Sequence, residues 1–351
     1  MSANGGEAES APMEQSLTQM TLGYVPAQVL YAAAELGVAD VLGDGPRAYQ
    51  SVAKETGTDP AALRRLLRAL AGLGVVTQHD TERFSLTELG NRLRADVPVS
   101  ERDDIVISTA PELWRAWGEL SAVVRSGEPA RDPGTGLTAH EAMLRHPELS
   151  AKLRAGMAQA AREFASGVVG AYDFSQFRTV ADFGGDEGTL IAAVLGAVPD
   201  LRGVLYDQPD AVERATAVLG AAGVADRCEV VAGNLTKPLP IGADAFVLNN
   251  IVRDWGDEKA IALLRNCRAA SAPTGRLLLV ETLMPPVLTP DESAAYGLTD
   301  LNNLVFTGGR ERTRDEYAEL LDAAGFTLSA TVAVPVPTGM PDYHVIEGIP
   351  A

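Results

Sequence analysis

The chain has 351 residues, of which 46% are hydrophobic and 22% are charged. This is an ordinary globular balance with enough apolar residues for a large core. The net charge of −18 repels phosphate backbones and argues against nucleic acid as a partner. No apolar run reaches the ~20 residues of a membrane-spanning helix, and the polar, acidic start lacks a signal-peptide pattern. We therefore expect a cytoplasmic protein with no membrane partner.

Residues 1–14 are expected to form a disordered tail, and residues 15–100 predict a winged-helix domain. Apolar residues recur at helical spacing in AQVLYAAAELGVADVL and AALRRLLRALAGLGVV, with a short helix at SVAKETG between them. The alternating stretch GVVTQHDTERFSLTELG is typical of a two-stranded wing. Such domains often bind DNA, but a chain this acidic is poorly suited to it.

Residues 101–170 predict connecting helices. The stretch PELWRAWGELSAVVRSGEPA places Trp114 and Trp117 on one helix face. A second long helix, HPELSAKLRAGMAQAAREFASGVVGAY, contains Met157. Aromatic and Met residues at this spacing belong to a core more often than to a ligand site.

From residue 171 onward, predicted strands and helices alternate. The strands are RTVADFGG, RGVLYD, CEVVAGN, ADAFVLNNIV and GRLLLVET, and the segments FTLSATVAV and YHVIEGI form a closing pair. Alternation of this kind predicts an α/β fold with a doubly wound, parallel sheet. Ligands of such sheets bind beyond the carboxyl ends of the strands.

A glycine-rich stretch, ADFGGDEGTL, follows the first of these strands and opens a helix. Gly184, Gly185 and Gly188 surround a tight turn, a weak signal for a nucleotide cofactor when taken alone. Asp207 ends the next strand, 25 residues after Asp182. A carboxylate there can hold two ribose hydroxyls, so dinucleotide binding is one interpretation of the loop.

The chain resembles the small-molecule O-methyltransferases that use S-adenosylmethionine in bacterial polyketide and aromatic natural-product pathways. The resemblance covers nearly the whole chain and rests on the winged-helix start, VADFGGDEGTL, LYDQPDAVERA, VAGNL, VRDWGDEKAIALLRNC, GRLLLVE and DLNNLVFTGGRERTRDEYAELLDAAGF. It implies a class I methyltransferase (Rossmann-like) domain over residues 171–351 and a homodimer formed through residues 15–100. It also implies an aromatic substrate held between the two domains, with residues 101–170 lining the pocket.

The resemblance assigns cofactor-binding roles along the carboxyl edge of the sheet. The positions are Asp182, Gly184, Gly185, Asp186, Gly188, Asp207, Gln208, Asn234, Leu235, Asn249 and Trp255. Asp207 matches the family's ribose-binding acid, and Trp255 matches the tryptophan beside the adenine. Three positions depart from the family: Asp186 replaces the central glycine, Asn234 an aspartate, and Asn249 a frequent lysine.

Asp186 bears most directly on whether S-adenosylmethionine binds. Glycine at this position permits a positive φ and a close approach of the cofactor. Aspartate tolerates a left-handed φ better than most residues, so the turn can form. Its side chain adds bulk and negative charge beside the methionine end of the cofactor. The bulk of the side chain therefore predicts weakened or lost binding of S-adenosylmethionine. Its negative charge would repel the carboxylate of the cofactor and attract the ammonium and sulfonium groups, so the net electrostatic effect on binding stays open.

Arg253 replaces the histidine that serves as general base in the family, and Glu281 and Glu311 match the acids that orient that base. Arginine stays protonated and cannot be the base, and none of the four histidines falls in this motif. Arg253 could form a structural ion pair with the glutamates, or could hold a carboxylate or stabilise an enolate or oxyanion. A tyrosine or carboxylate base, or catalysis by proximity, stays open.

Seven positions are candidates for contact with the substrate. They are Trp114, Met157, Asn250, Arg253, Asn302, Asn303 and Phe306. The asparagines and Arg253 follow from motif positions, and the others from helix faces. Asn302 and Asn303 interrupt the apolar helix DLNNLVF; a polar ligand could bind their amides, and solvation explains them equally well.

Three functions remain open. The first is a tailoring enzyme that keeps the methyltransferase fold but carries out cyclisation, rearrangement, decarboxylation or hydroxylation, with Arg253 stabilising anionic charge. The second is an O-methyltransferase of a phenolic natural product with a substitute base. The third is a non-catalytic dimer that binds a small molecule. No metal is expected in any of them, and the fold alone does not choose between them.

Overall fold

The computed structural model describes residues 17–237, 239, 242–336 and 342–351, so the expected tail over residues 1–14 lies outside the described residues. The side chains of residues 157–160, 163, 291 and 294 are also outside the description. The chain divides into two compact units, Met1–Ala110 and Pro111–Ala351. Within the described ranges, no helix combines the length and apolar content needed to cross a bilayer.

The first unit consists of helices and a small sheet. Its helices are α1 (Leu17–Met20), α2 (Tyr24–Glu35), α3 (Val38–Leu42), α4 (Tyr49–Thr56), α5 (Pro60–Gly72), α6 (Glu88–Asn91) and α7 (Arg102–Ser108), and its strands are β1 (Arg47–Ala48), β2 (Val76–Gln78) and β3 (Arg83–Leu86). The antiparallel sheet has the order β1-β3-β2. Asp59 caps α5 by accepting a hydrogen bond from the N–H of Ala62 at 2.8 Å. The predicted wing is the β2–β3 hairpin.

The second unit carries the remaining helices. They are α8 (Pro111–Gly118), α9 (Leu120–Ser126), α10 (Ala139–Arg145), α11 (Pro147–Ala171), α12 (Thr189–Ala197), α13 (Pro209–Ala221), α14 (Asp257–Ala270), α15 (Pro290–Glu292), α16 (Leu298–Phe306) and α17 (Arg314–Ala324). Short 3₁₀ helices lie at Phe174–Gln176, Ala225–Arg227 and Val252–Asp254, and a π-helical turn lies at Ser293–Gly297.

A seven-stranded sheet forms the centre of this unit. Its strands are β4 (Thr179–Phe183), β5 (Arg202–Asp207), β6 (Cys228–Ala232), β7 (Ala243–Asn249), β8 (Ser271–Thr282), β9 (Phe326–Ala333) and β10 (Tyr343–Pro350). The order is β6-β5-β4-β7-β8-β10-β9, with β10 antiparallel to both of its neighbours and the other pairs parallel. The predicted α/β class is confirmed. The strand order reverses beside β4, which is where such sheets bind ligands.

Both faces of the sheet are buried, because alternate side chains of each strand enter different cores. On β8, Leu278 packs into the core that contains Ile191 of α12, whereas Leu279 packs into the core that contains Leu264 of α14. Two helical layers therefore fix the strand. Its carboxyl end brings Glu281 to the edge of the sheet at which β4 and β7 also end.

Candidate functional site

The loop after β4 has the backbone that its glycines require. Gly184, Asp186 and Gly188 have φ values of +80°, +49° and +81°. A Cβ at Gly184 would lie 2.6 Å from the side chain of Ile251, so a larger residue does not fit there. Asp186 thus adopts the left-handed conformation that the replaced glycine would take readily.

The side chain of Asp186 is held by an arginine of α13. Its Oδ1 lies 2.6 Å from Nη2 of Arg214, and both side chains are about one-third exposed (34% and 33%). The backbone N–H of Asp186 donates to Oδ2 of Asp207 at 2.8 Å. The extra negative charge of the loop therefore has a partner of opposite charge.

Two buried carboxyl groups lie beneath this loop. Asp207 accepts hydrogen bonds from the backbone N–H groups of Gln208 at 2.6 Å and Asp186 at 2.8 Å, and burial raises its pKa. Asp182 is 1% exposed, and neither of its carboxyl oxygens has a hydrogen-bond partner among the described residues. Burial, with a smaller effect of Asp207, raises the pKa of Asp182 to about 7. Perturbed carboxyl groups at a strand end are typical of a ligand site.

Other predicted cofactor positions follow the ends of neighbouring strands. Asn234 forms a local turn, because its Oδ1 accepts from the N–H of Thr236 at 2.9 Å and from the Thr236 hydroxyl at 2.8 Å. Leu235 approaches Gly184, with a methyl group 3.5 Å from the place of a Cβ at that glycine. Gln208 is exposed before α13. Their contacts with a cofactor stay predictions.

Arg253, in the 3₁₀ helix after β7, lies inside a polar network. Its Nη2 forms an ion pair with Oε1 of Glu311, and its side chain is 13% exposed. Its Nη1 lies 3.4 Å from Oδ1 of Asn250 and 3.3 Å from Oη of Tyr343. The Tyr343 hydroxyl also donates to Asn250 at 2.9 Å. Oδ1 of Asn250 therefore accepts hydrogen bonds from both Arg253 and Tyr343, and its Nδ2 donates to Oδ1 of Asn249 at 3.3 Å. The backbone of Asn250 has a φ of +55°.

Glu311 is the fully bonded acid of this network. It is 1% exposed and accepts hydrogen bonds from the hydroxyl of Thr282 and from Nδ2 of Asn303, the latter at 3.0 Å. Its backbone N–H donates to Oδ1 of Asp300 at 2.6 Å. With Arg253 added, both carboxylate oxygens are satisfied, as a buried charge requires. The structural ion pair expected for Arg253 is therefore present with Glu311.

Glu281 behaves differently from Glu311. It is fully buried, with Oε1 accepting from the N–H of Val252 at 2.9 Å and Oε2 unpartnered within the described part of the chain. Burial raises the pKa of Glu281 to about 8 although the charge of Arg253 opposes the shift. Burial also raises the pKa of Asp254 to about 6. At neutral pH Glu281 is mostly a neutral acid, and Arg253 forms no ion pair with it among those of the described residues.

The segment that carries Glu311 also positions the 3₁₀ helix. Arg312 is fully buried and donates to the backbone oxygens of Val252 at 3.0 Å and Trp255 at 2.8 Å. It also contacts Oδ1 of Asp257 at 2.7 Å. Sequence reasoning missed both Arg312 and Tyr343. Nothing in the sequence marked these two residues as part of a site. An arginine in a charged run usually faces solvent, and a tyrosine in a strand usually packs into the core.

Helix α16 places the predicted amides in two environments. Asn303 is buried against Glu311, so its partner is a protein carboxylate and not solvent. Asn302 accepts a hydrogen bond from Nε1 of Trp117 at 3.3 Å. Trp114, which the helix face suggested, is 39% exposed, and the side chain of Met157 lies outside the described residues. Contact of these positions with a substrate stays a prediction.

Comparison with known families decides the assignment. A family model of the O-methyltransferase domain matches residues 117–327, and one of the O-methyltransferase dimerisation domain matches residues 18–96. The chain belongs to the O-methyltransferase family. The predicted resemblance and the class I methyltransferase fold are both confirmed.

Three similar proteins indicate what this O-methyltransferase family includes. The chain is 36% identical over 344 residues to the phenazine O-methyltransferase PhzM of Lysobacter antibioticus, covering 98% of each chain. It is 33% identical over 353 residues to the aclacinomycin 10-hydroxylase RdmB of Streptomyces purpurascens, covering 99% of this chain and 94% of the other. It also matches the O-methyltransferase NcsB1 from neocarzinostatin biosynthesis, solved with S-adenosyl-L-homocysteine and 1,4-dihydroxy-2-naphthoic acid. That match has a TM-score of 0.84 and 29% identity, and it covers 97% and 100% of the two chains.

In this O-methyltransferase family member, the structure brings the predicted catalytic residues together but divides their roles. Arg253 and Glu311 form the charged pair, while Glu281 stays apart as a neutral acid. The loop after β4 forms a tight turn with Asp186 at a positive φ. The position that the sequence resemblance assigns to a general base therefore carries a permanent cation, and its catalytic role stays a prediction.

Proposed function

We propose that this chain is a natural-product tailoring enzyme that holds an anionic aromatic or polyketide substrate at Arg253 and carries out a non-methylating step on it. The main support is the geometry of Arg253, which is fixed by Glu311 and turns Nη1 toward Asn250 and Tyr343. A fixed cation stabilises an enolate or oxyanion but cannot accept a proton. The chain's similarity to a hydroxylase supports a step other than methyl transfer.

The reaction class follows from what Arg253 can do. Cyclisation, rearrangement and decarboxylation of polyketide-like molecules, and their hydroxylation with molecular oxygen as the oxidant, commonly develop negative charge on an oxygen atom of the substrate. Arg253 would bind that oxygen, with Asn250 and Tyr343 orienting the guanidinium through hydrogen bonds. Because the ion pair is buried, water competes weakly with such an anion.

The residues present fit S-adenosylmethionine. Asp186 keeps the left-handed backbone of the loop and has its carboxylate bound by Arg214, which weakens the steric argument against binding. Asp207 would hold the ribose, and the acidic loop suits a sulfonium cation. When bound, this cofactor supplies an electrophilic methyl group or, if no transfer occurs, a positive charge beside the substrate.

The same loop favours a second candidate function, O-methylation without a protein base. Arg253 would stabilise a substrate phenol as its phenolate, after the phenol proton has left to solvent. The phenolate oxygen would then form a bond to the methyl carbon as the bond between that carbon and sulfur breaks, leaving S-adenosylhomocysteine. Proximity and charge stabilisation would replace general-base catalysis.

Restoring the missing base separates the two candidates. We expect the wild-type protein to bind S-adenosylmethionine in calorimetry and to leave 1,4-dihydroxy-2-naphthoic acid unmethylated. Arg253→His places a titratable base beside Glu281 and Glu311, so this variant should form methylated product and S-adenosylhomocysteine, as measured by mass spectrometry. Arg253→Lys is the matched control, because it keeps the charge without supplying a base at neutral pH. Faster methylation by the wild type than by Arg253→His would overturn the non-methylating step.

A further inference from the structure

Asn302 has an amide group that the protein leaves available. Nε1 of Trp117 lies 3.3 Å from Oδ1 of Asn302. An indole N–H can only donate, so Asn302 must present its oxygen to Trp117 and direct its NH₂ group elsewhere. Within the described part of the chain, that NH₂ group donates to no protein acceptor. Both side chains are partly exposed, which leaves room for a ligand.

His140 of α10 contacts α16 at Phe306, which is one helical turn after Asn302. Its ring packs edge-to-face on Phe306, with the ring centroids 4.9 Å apart, and Phe306 follows Asn302 by four residues. Burial lowers the pKa of His140, so at neutral pH the ring has one donor and one acceptor nitrogen. Neither nitrogen makes a hydrogen bond among the described residues. Because His140 is only partly buried, its ring nitrogens can bond to solvent or to a ligand.

Helix α16 connects this pair to the charged network. Asn303, next to Asn302 in the chain, donates to Glu311 at 3.0 Å, and Glu311 binds Arg253. One helix therefore presents neutral hydrogen-bonding groups beyond Phe306 and braces the cation through Asn303. Asn302 and Asn303 are neighbours in the chain, so the hydrogen-bonding pair and the ion pair of Arg253 are connected through a single helix.

We propose that His140 and Asn302 form a specificity-determining pair that binds a hydroxyl or quinone-type oxygen on the edge of the aromatic substrate remote from Arg253. The inference rests on the proposed function, since it takes the anion to be held at Arg253. The Asn302 NH₂ group donates to such an oxygen, and the neutral His140 ring donates or accepts according to its tautomer. Phe306 offers the apolar surface between them.

Two probes that differ by a single oxygen test the pair. Calorimetry compares 1,4-dihydroxy-2-naphthoic acid with 1-hydroxy-2-naphthoic acid, which lacks the remote hydroxyl. The wild type should bind the dihydroxy acid about tenfold more tightly, the effect of one well-formed hydrogen bond. His140→Phe and Asn302→Leu should each bring this ratio close to one while the monohydroxy acid binds as before. His79→Phe, on the wing hairpin of the other unit, is the control and should keep the preference.

A second measurement does not depend on the variants folding. In histidine-labelled wild-type protein, which has four histidines, the His140 nitrogen resonances should shift with the dihydroxy acid and not with the monohydroxy acid. Equal affinity of the wild type for both acids, or an unmoved His140 resonance, overturns this inference alone. Failure of both acids to bind overturns the anion site of the proposed function and this inference together.

Discussion

At the residue scale, the charges of Arg253, Glu281 and Glu311 explain how the candidate site is arranged. A histidine between two glutamates would share its proton with them, whereas Arg253 brings a permanent charge that one glutamate suffices to balance. Glu311 has three donors around its carboxylate, namely Arg253, Thr282 and Asn303, and supplies that balance. Glu281 forms no ion pair with Arg253 among the described residues, and burial raises its pKa to about 8 although the charge of Arg253 opposes the shift. The two glutamates near Arg253 therefore differ: Glu311 pairs with it and Glu281 does not.

The raised pKa of Glu281 predicts a pH dependence of stability. The pKa of Glu281 is about 8 in the folded protein, against an ordinary value of 4.5 for glutamate, so between these values the folded state binds a proton that the unfolded state releases. The free energy of unfolding should therefore fall as pH rises through this window, by up to about 1.4 kcal/mol per pH unit. Glu281→Gln keeps the hydrogen-bond acceptor for Val252 and cannot ionise. In urea unfolding from pH 5 to pH 9, this variant should show a flatter profile than the wild type.

A surface substitution controls for this experiment. Glu213 is exposed on α13, and Glu213→Gln should reproduce the wild-type profile. Parallel profiles for the wild type and Glu281→Gln would mean that Glu281 is ionised in the folded protein and would contradict its assignment as a neutral acid.

At the element scale, two features maintain the tight turn between β4 and α12. The positive φ at Asp186 preserves the turn, and the ion pair with Arg214 ties the loop to α13. The pair is partly exposed, so its contribution to stability is small. Its main effect is to fix the direction of the Asp186 carboxylate.

Substitutions of Asp186 separate backbone strain from side-chain obstruction. Asp186→Gly should be at least as stable as the wild type, and Asp186→Ala should lose about 1 kcal/mol because alanine is strained at φ +49°. Both are measured by chemical unfolding. Calorimetry should find S-adenosylmethionine affinity in Asp186→Gly within about threefold of the wild type, the small effect of losing a partly exposed ion pair.

The ion-pair partner provides the matched control. Arg214→Met releases the Asp186 carboxylate without changing the backbone, so it should alter cofactor affinity more than Asp186→Gly does. If the wild type binds no S-adenosylmethionine and Asp186→Gly restores binding, the side chain obstructs the cofactor, and the steric expectation from the sequence is correct.

At the scale of the whole molecule, we propose a homodimer formed through the first unit. A dimerisation-domain model matches residues 18–96. The first two helices and the turn between them also expose large apolar side chains, at Leu17 (82%), Met20 (61%), Leu22 (55%) and Val25 (42%). Apolar side chains clustered in this way mark an interaction surface.

Light scattering tests this arrangement. The wild type should have twice the mass of one chain, and the double substitution Leu22→Asp and Val25→Asp should shift the protein toward monomer, because two charges would be buried in the interface. Val287→Asp is the control, since Val287 is exposed (82%) but lies in the second unit. An unchanged dimer in the double variant would place the interface elsewhere.

Much of the fold was predictable because its signals are local. Strand and helix periodicities from residue 171 predicted the sheet, whose strands β4 to β8 are parallel as expected. The position of the cofactor loop followed from a glycine pattern at a strand end. The boundary between the predicted connector and its neighbours at residues 100 and 170 stays a proposal, while the structure divides the chain after Ala110.

The sequence by itself determined the residue types of the candidate site, which include a carboxylate at the end of the second strand of the sheet and an arginine that cannot act as a base. These follow from residue type and local spacing, which do not depend on packing. Only the tertiary structure decided that Asp186 faces Arg214, that Tyr343 reaches Asn250 across 93 residues of chain, and that His140 packs on Phe306. It also decided which glutamate carries the charge. Each of these outcomes depends on burial and on contacts between distant segments, which no local pattern encodes.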